Sequence, residues 1–388
     1  MINKLVAYDL LEVKKKLSLV KAKTWYKAGL VEEEQWKGIQ ADYPSDLYSP
    51  TIFMRILLFV ATFFGLSTVL GPILLLVADE GIVAIRIMVF IAGVVMIAFT
   101  ERVMIKDKRH FKSGITEAGY YIGFSFVYFG LMGFGIDEIL IYWMMALLFV
   151  SIGTIRYMDL LSLVATVVCL VAVLFLSLTS ILAFLPFVIM ILFGGLFIIS
   201  QKIQKKTDYL VWEDHFILFD TLALLLVYLG GNYFVVRELS IEMMGLELGE
   251  GQDIPMAFLF YGFTFLIPLA YLIWGIRNRS ILFIRVSLLV LTLTVFTIKY
   301  YYSFAPPEVS ITVAGGILIL ISLVLLKYLK KSRKGFIRDQ IIQSKWDNPD
   351  LVAVVASQTL GGHQIDQSES SQIGKGGEFG GGGASGDF

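Results

Sequence analysis

Two ionisable side chains, Asp220 and Arg285, lie inside long apolar stretches of the sequence. Each lies four residues inside a predicted membrane-spanning helix, which places both about 6 Å below the same membrane face. A carboxylate beside a guanidinium at that depth could act as a gate, or as a proton relay with its counter-ion. Alternatively, the two residues form a structural ion pair, or each side chain extends to the nearer interface.

The predicted helix that contains Arg285 carries further polar residues at intervals of seven, Thr292 and Lys299. Seven residues turn a helix by about 700°, so the three side chains share nearly one face. Such a stripe is typical of a helix that faces protein or a water-filled cavity. The alternative is that Arg285 and Lys299 reach opposite interfaces while Thr292 makes an ordinary interhelical hydrogen bond. Arg86, about one turn inside the second predicted span, is expected to be a structural or orientation anchor.

Motifs that would indicate an enzyme or a metal protein are absent from the sequence. There is no Gly-x-Ser-x-Gly, no His-Glu-x-x-His and no P-loop. The single cysteine lies in an apolar run, and the three histidines are far apart, so no zinc-site spacing occurs. We therefore expect no catalytic residues, no metal, no cofactor and no nucleic-acid partner.

The composition is that of an all-α integral membrane protein. Hydrophobic residues make up 57% and charged residues 16% of the 388 residues, whereas soluble domains are about half apolar and about a quarter charged. Apolar runs of about 20 residues are long enough to cross the hydrocarbon core. The sequence predicts about ten spans, over Thr51–Val77, Ile82–Thr100, Ala118–Phe134, Ile139–Ile155, Leu160–Leu178, Ile181–Ile199, Phe216–Val236, Met256–Ile276, Ile281–Ile298 and Val309–Leu326.

The basic residues predict the orientation of these spans. If the N-terminus is inside, 28 of the 32 Lys and Arg residues fall in inside segments. Only Arg237 and Lys299 fall in outside loops, and Arg86 and Arg285 lie within spans. Because short inside loops are enriched in Lys and Arg, we expect a multi-pass protein of the bacterial cytoplasmic (inner) membrane with both termini in the cytoplasm.

The segments at the two ends are predicted to lie outside the membrane. Residues 1–50 are predicted to form a helical hairpin. In its first helix one face carries Leu10, Val13, Leu17 and Val20, and Gly29 is expected to end that helix. A second helix is expected to run to Pro44. We expect the hairpin to pack on the membrane domain (51–329) or on a partner. A basic segment (330–356) is expected to bind anionic lipid headgroups, and the Gly-rich tail (357–388) is expected to be disordered.

Two stretches resemble known bacterial membrane proteins. The run Trp25-Tyr26-Lys27-Ala28-Gly29-Leu30-Val31-Glu32-Glu33-Glu34-Gln35, followed by Arg55-Ile56-Leu57-Leu58, resembles the N-terminal hairpin of the family called domain of unknown function 2157. That family has no established activity, so the resemblance implies a hairpin ahead of many spans and no functional residues. Here Val31–Glu32 stands where the family usually has a Ser or Thr cap.

The ending Phe379-Gly380-Gly381-Gly382-Gly383-Ala384-Ser385-Gly386-Asp387-Phe388 is similar to the glycine-rich ending of bacterial TPM-domain membrane proteins. The TPM domain itself is missing from this chain. The resemblance implies a shared partner or processing step that recognises the tail. Drift in a low-complexity segment is the alternative explanation.

Two functional hypotheses follow from the sequence. The first is a non-enzymatic component of an envelope assembly that acts through its cytoplasmic ends. The second is a secondary transporter or channel with a polar site between spans seven and nine, where Pro186 and Pro268 would kink neighbouring spans. A polar cavity that reaches the membrane midplane would favour the transporter, and a dry, leucine-filled centre would count against it.

Overall fold

The computed structural model describes residues 5–76, 78–132, 138–205, 209–244 and 252–301, together with isolated helical positions between 312 and 327. These residues are almost entirely helical, with no β-strand among them. The described helices are α1 (Leu10–Lys27), α2 (Glu33–Asp42), α3 (Ile52–Leu76), α4 (Ile82–Phe99), α5 (Ile115–Leu131), α6 (Ile139–Arg156), α7 (Leu160–Ser177), α8 (Leu185–Gln204), α9 (Tyr209–Gly231), α10 (Tyr233–Met244), α11 (Ala257–Asn278) and α12 (Ile281–Tyr301). Most of the predicted tenth span and the whole of segments 330–356 and 357–388 lie outside the described residues.

The described helices form a membrane bundle. Seven of them are long and apolar enough to cross a bilayer, and α9 with α10 would make an eighth if the bent pair is one span. Their outer faces expose large apolar side chains, including Leu75 at 75%, Ile191 at 76% and Phe258 at 73%. A water-soluble protein rarely exposes apolar surface so extensively. The all-helical membrane class is therefore confirmed, while the number of ten spans stays a prediction.

Glycines allow α4 and α5 to pack backbone against backbone. A Cβ on Gly93 would lie 2.7 Å from the carbonyl oxygen of Gly123 and 2.7 Å from the amide nitrogen of Val127. A Cβ on Gly130 would lie 2.9 Å from the Cα of Phe90. Small residues at such crossings are a common way to bring two membrane helices close together, so these glycines set the spacing of α4 and α5.

The predicted seventh span, Phe216–Val236, is wrong as a single straight helix. The chain bends by 71° between α9 and α10, after Gly230–Gly231. The Asn232 side chain caps the new helix, because its Oδ1 accepts a hydrogen bond from Val235 N at 3.1 Å. The amide of Tyr233, which the bend removes from helical bonding, donates to Thr264 Oγ1 on α11 at 2.9 Å.

The predicted kink at Pro186 is also wrong. Helix α8 begins at Leu185, after a short 3₁₀ turn over Thr179–Phe184. Pro186 therefore lies in the first helical turn, where the missing N–H leaves no hydrogen bond unmade. Pro268, in contrast, is inside α11 as the sequence predicted.

The two N-terminal helices form where the sequence predicts them. Helix α1 ends at Lys27, and Gly29 follows in the left-handed region with φ of +69°. Helix α2 begins with a capping interaction in which Glu32 N donates to Gln35 Oε1 at 3.0 Å. The sequence did not predict this cap. Helix α1 packs on α2 and on α9. We call the end of the bundle that carries α1 and α2 the hairpin end, and the other end the far end.

The glycine contacts predict a difference between two Gly→Ala variants. Gly93→Ala forces a methyl group against the backbone of α5, and overpacking of this kind costs about 1–3 kcal/mol. Gly195→Ala in α8 meets no atom within 4 Å, and it should be neutral or gain up to about 1 kcal/mol of helix propensity. Thermal unfolding in detergent should therefore give a lower midpoint for Gly93→Ala only. Equal midpoints for the two variants would show that α4 and α5 do not pack this closely.

Candidate functional site

Asp220 is buried between α8 and α9 and is not paired with Arg285. Its Oδ2 accepts hydrogen bonds from the side-chain amides of Gln201 and Gln204, each at 2.7 Å. Its Oδ1 is buried without a hydrogen-bond partner among the described residues. Arg285 lies on the exposed face of α12, so the suggested ion pair does not form. The two glutamine amides on the adjacent helix provide the polar contact instead.

The predicted polar stripe of α12 faces outward. Arg285 and Thr292 are exposed, and Lys299 is only partly buried. The Thr292 hydroxyl donates to the carbonyl of Leu288 in its own helix at 3.0 Å. The buried face of α12 carries other residues in the described part of the chain, so the cavity interpretation of this stripe gains no support and stays a prediction. Arg86 is half-buried near the start of α4, at the far end, and its anchoring role stays a prediction.

A different set of polar residues is buried between α9, α11 and α12. The Tyr228 hydroxyl hydrogen-bonds Thr294 Oγ1 at 2.9 Å. The Asn232 amide donates to Tyr228 Oη at 2.7 Å and to Thr297 Oγ1 at 3.0 Å. The Thr294 hydroxyl also lies 3.1 Å from the carbonyl oxygen of Thr264. These five residues, which we call the polar core, satisfy one another and hold the bend after α9 in place.

The centre of the bundle next to the polar core is apolar. A cavity of about 520 Å³ lies under α10 at the far end, lined by side chains of α6 to α10 such as Trp143, Phe175, Leu226 and Val236. Its one hydroxyl, that of Ser240, donates to a carbonyl of α10 at 2.7 Å. No lining residue carries a charge, so the cavity suits an apolar molecule better than an ion.

The N-terminal segment is attached to the hairpin end by backbone hydrogen bonds. Ala7 N donates to the carbonyl of Arg156 at 2.8 Å, and the Arg156 guanidinium donates to the carbonyl of Leu5 at 3.2 Å. Tyr48, after α2, pairs with the loop before α5 through Tyr48 N to Arg109 O and Phe111 N to Tyr48 O, both at 2.9 Å. The hairpin is therefore fixed to the bundle at both of its ends.

Side-chain contacts strengthen this attachment. Val13 of α1 is completely buried, and Tyr8 packs edge-on against Phe111 with 5.0 Å between ring centroids. Lys21 of α1 forms a salt bridge with Glu213 of α9. The expectation that the hairpin packs on the membrane domain is thus met by contacts of apolar, aromatic and charged residues.

Beneath the attached segment lies a group of charged residues centred on Lys112. The charges of Asp214, Arg55, Asp159 and Glu117 all act on its ammonium group. Burial lowers the pKa of Lys112 below its ordinary value, although the charge of Asp214 opposes that shift. We call these five residues the charged cluster. In the sequence, Lys112 is one of the 28 basic residues of the predicted inside segments, and no pattern distinguishes it from the others.

Two of the three carboxylates of the charged cluster, Glu117 and Asp159, serve as helix caps. Glu117 accepts hydrogen bonds from Gly114 N and from the Thr116 hydroxyl, each at 2.7 Å. Asp159 accepts from Ser162 N at 2.6 Å and from the Tyr121 hydroxyl at 2.8 Å. Both are therefore already bound to donors in the structure. Such an arrangement stabilises the starts of α5 and α7.

Unsatisfied polar atoms and strained backbone also occur at the hairpin end. Both imidazole nitrogens of His215 and the Nε of Arg55 are buried without hydrogen-bond partners among the described residues. The backbone φ angle is 52° at Arg109, 49° at Lys112 and 53° at Met158. Such values are unfavourable for residues other than glycine. Strain and unpaired polar atoms concentrate at functional sites, so the hairpin end is the candidate functional site.

Tyr8 covers the charged cluster. Its side chain is buried, and burial raises the pKa of its hydroxyl well above the ordinary value, with a further rise from the charge of Glu117. Within the described residues, no group of three His, Cys, Asp or Glu side chains could hold a metal ion.

The chain matches no protein-family model, no curated protein and no solved structure. We therefore infer function from the geometry of the hairpin end and of the polar core.

The two faces of α12 predict different losses of stability for two Thr→Val variants. Thr297→Val removes a hydroxyl to which Asn232 donates in the polar core, and an unsatisfied buried group costs about 1–3 kcal/mol. Thr292→Val changes an exposed residue that bonds only within its own helix, so little change is expected. Thermal unfolding in detergent distinguishes the two. A larger loss for Thr292→Val would mean that the stripe, and not the polar core, is the buried face.

Proposed function

We propose that this protein is a non-enzymatic, multi-pass component of an assembly in the bacterial cytoplasmic membrane, and that it binds its partner through the N-terminal hairpin. The observation that carries the proposal is that the hairpin, which is fixed to the bundle, exposes several large apolar and aromatic side chains among its charged ones.

Five large apolar side chains are exposed between residues 20 and 43 of the hairpin, in a region outside the spans. Trp25 is 41% exposed and Leu30 is 50% exposed. The aromatic members include Tyr26, whose ring stacks on Trp36 of α2 with 6.1 Å between centroids. The set, which we call the hairpin patch, consists of Val20, Trp25, Tyr26, Leu30 and Tyr43. Exposed aromatic and apolar groups of this kind mark protein interaction surfaces and supply their anchor residues.

The charge pattern and the two resemblances extend the proposal. The enrichment of Lys and Arg in alternate connections supports ten spans with both termini in the cytoplasm. The hairpin patch would then face the cytoplasm. The Gly-rich tail, which lies outside the described residues, is a second candidate for partner binding because its ending is similar to that of TPM-domain proteins.

The alternative function is a secondary transporter or channel. Two observations favour it. The buried Oδ1 of Asp220 has no hydrogen-bond partner among the described residues, and an apolar cavity of about 520 Å³ lies under α10. An apolar substrate would suit that cavity better than an ion would. Against it, the polar core is internally satisfied and the cavity lining is uncharged. Asp220→Asn in vesicles tests the alternative, since proton-coupled transport would require the ionisable carboxylate.

The hairpin patch predicts a change in bound partners. Trp25→Ser with Leu30→Ser should remove at least one protein that co-purifies with the full-length chain from its native membrane, because truncating interface anchors typically costs about 2 kcal/mol or more each. The control is Leu11→Ser, which changes another exposed apolar residue of α1, about 21 Å along the helix from Trp25. Mass spectrometry of the purified material compares the three proteins. An identical set of partners for all three would contradict the proposal.

A further inference from the structure

A groove at the hairpin end combines a cationic rim with an apolar trough. It has a volume of about 530 Å³ and runs from α4 to α5 and to the end of α6. The rim is formed by four charged side chains and the trough by four apolar ones; the eight lining residues are Val94, Ile97, Ala98, Glu101, Arg102, Lys106, Val127 and Arg156. The groove therefore has two chemically different halves along the axis of α4.

A π-helical segment supplies most of the rim. Residues Thr100–Asp107 continue α4 as a π-helix, a geometry that is rare and is found mostly at functional sites. It places Arg102 and Lys106 on the groove, and both side chains are exposed. Their charges are therefore available to a ligand.

The remaining two charges of the rim neutralise each other. Arg156 donates from Nε and Nη2 to the two carboxylate oxygens of Glu101, and the Tyr157 hydroxyl adds a third hydrogen bond at 2.8 Å. Because Glu101 is held in this way, the four charged side chains leave the rim with a net charge of plus two. Only an anionic group complements such a rim.

The trough lies on the lipid-facing side of the bundle. Val94 is 46% exposed and Ala98 is also exposed, while Val127 of α5 forms a buried floor. Val94 and Arg102 are separated by eight residues, or about 12 Å along the helix. The trough therefore extends from the level of the charged rim into the apolar part of the bundle, where an acyl chain would lie.

We propose that this groove is a binding site for a phospholipid with an anionic headgroup, whose phosphate contacts Arg102 and Lys106 and whose acyl chain fills the trough. A soluble phosphate compound would leave the apolar half of the groove uncovered. Basic pockets between spans are a known way to bind such headgroups. The proposal is independent of the partner-binding function, because neither Arg102 nor Lys106 belongs to the hairpin.

The test measures phosphatidylglycerol binding to the full-length protein in detergent by native mass spectrometry. Arg102→Ala with Lys106→Ala should weaken binding about 30-fold, given the usual contribution of a basic residue near anionic lipid. Ala98→Phe, which fills the trough, should also weaken it. The control is Lys202→Ala with Lys205→Ala, which removes two exposed charges from the same end of the bundle but outside the groove, and it should change the affinity less than twofold.

Three outcomes would overturn the proposal. Equal losses in the two double variants would show general attraction to a basic surface. Equally tight binding of phosphatidylcholine would show that the headgroup charge is not recognised. Displacement of the lipid by soluble glycerol 3-phosphate would show that the headgroup alone occupies the rim. Both double variants change exposed side chains, and unchanged thermal unfolding confirms that each remains folded.

Discussion

The ion pair between Arg156 and Glu101 connects three parts of the molecule at the hairpin end. Arg156 ends α6, Glu101 belongs to the π-helical continuation of α4, and the same guanidinium donates to the carbonyl of Leu5. The backbone carbonyl of Arg156 also accepts from Ala7 N. Because the pair is partly shielded from water, removing either partner would leave an uncompensated charge. Both the attachment of the N-terminal segment and the rim of the proposed lipid site depend on this pair.

The membrane environment explains how polar groups are distributed in the rest of the structure. In hydrocarbon, a buried polar group without a partner is costly. The polar core accordingly satisfies itself between α9, α11 and α12, and its Asn232 also caps the helix after the bend. The charged cluster around Lys112 lies instead at the hairpin end. In the proposed function the bundle is mainly a support for the surfaces at that end.

Helix positions could be predicted from the sequence, whereas helix faces could not. Apolar runs define where a helix begins and ends to within a few residues, as for Leu160–Leu178 against α7. The orientation of a helix depends on contacts with neighbours distant in sequence. Thr292 and Thr294 are two residues apart and about 200° apart around the helix. The sequence pattern predicted a polar face on the side of Thr292, whereas the buried polar core lies on the side of Thr294. Asp220 meets glutamines 16 and 19 residues earlier in the chain, a pairing that no periodicity indicates.

Two local features could have been predicted with closer attention to turn chemistry. Gly230–Gly231 followed by Asn232 is a helix stop followed by an N-cap, and it marks the bend that divides the seventh span. Pro186 comes soon after the polar pair Thr179–Ser180. A proline in such a position is typical of a first helical turn. The charged cluster could not be predicted in this way, because its members come from four separate parts of the chain, at Arg55, Lys112, Asp159 and Asp214.

The central claim is that the hairpin is an integral part of the bundle, held through Arg156, and presents the hairpin patch as a fixed surface. Hydrogen–deuterium exchange on full-length protein, comparing the native chain with Arg156→Met, tests this most directly. We expect faster exchange across residues 5–27 in the variant, because the contacts at Leu5 and Glu101 are lost, with α11 and α12 unchanged. Unchanged exchange across residues 5–27 would contradict the account.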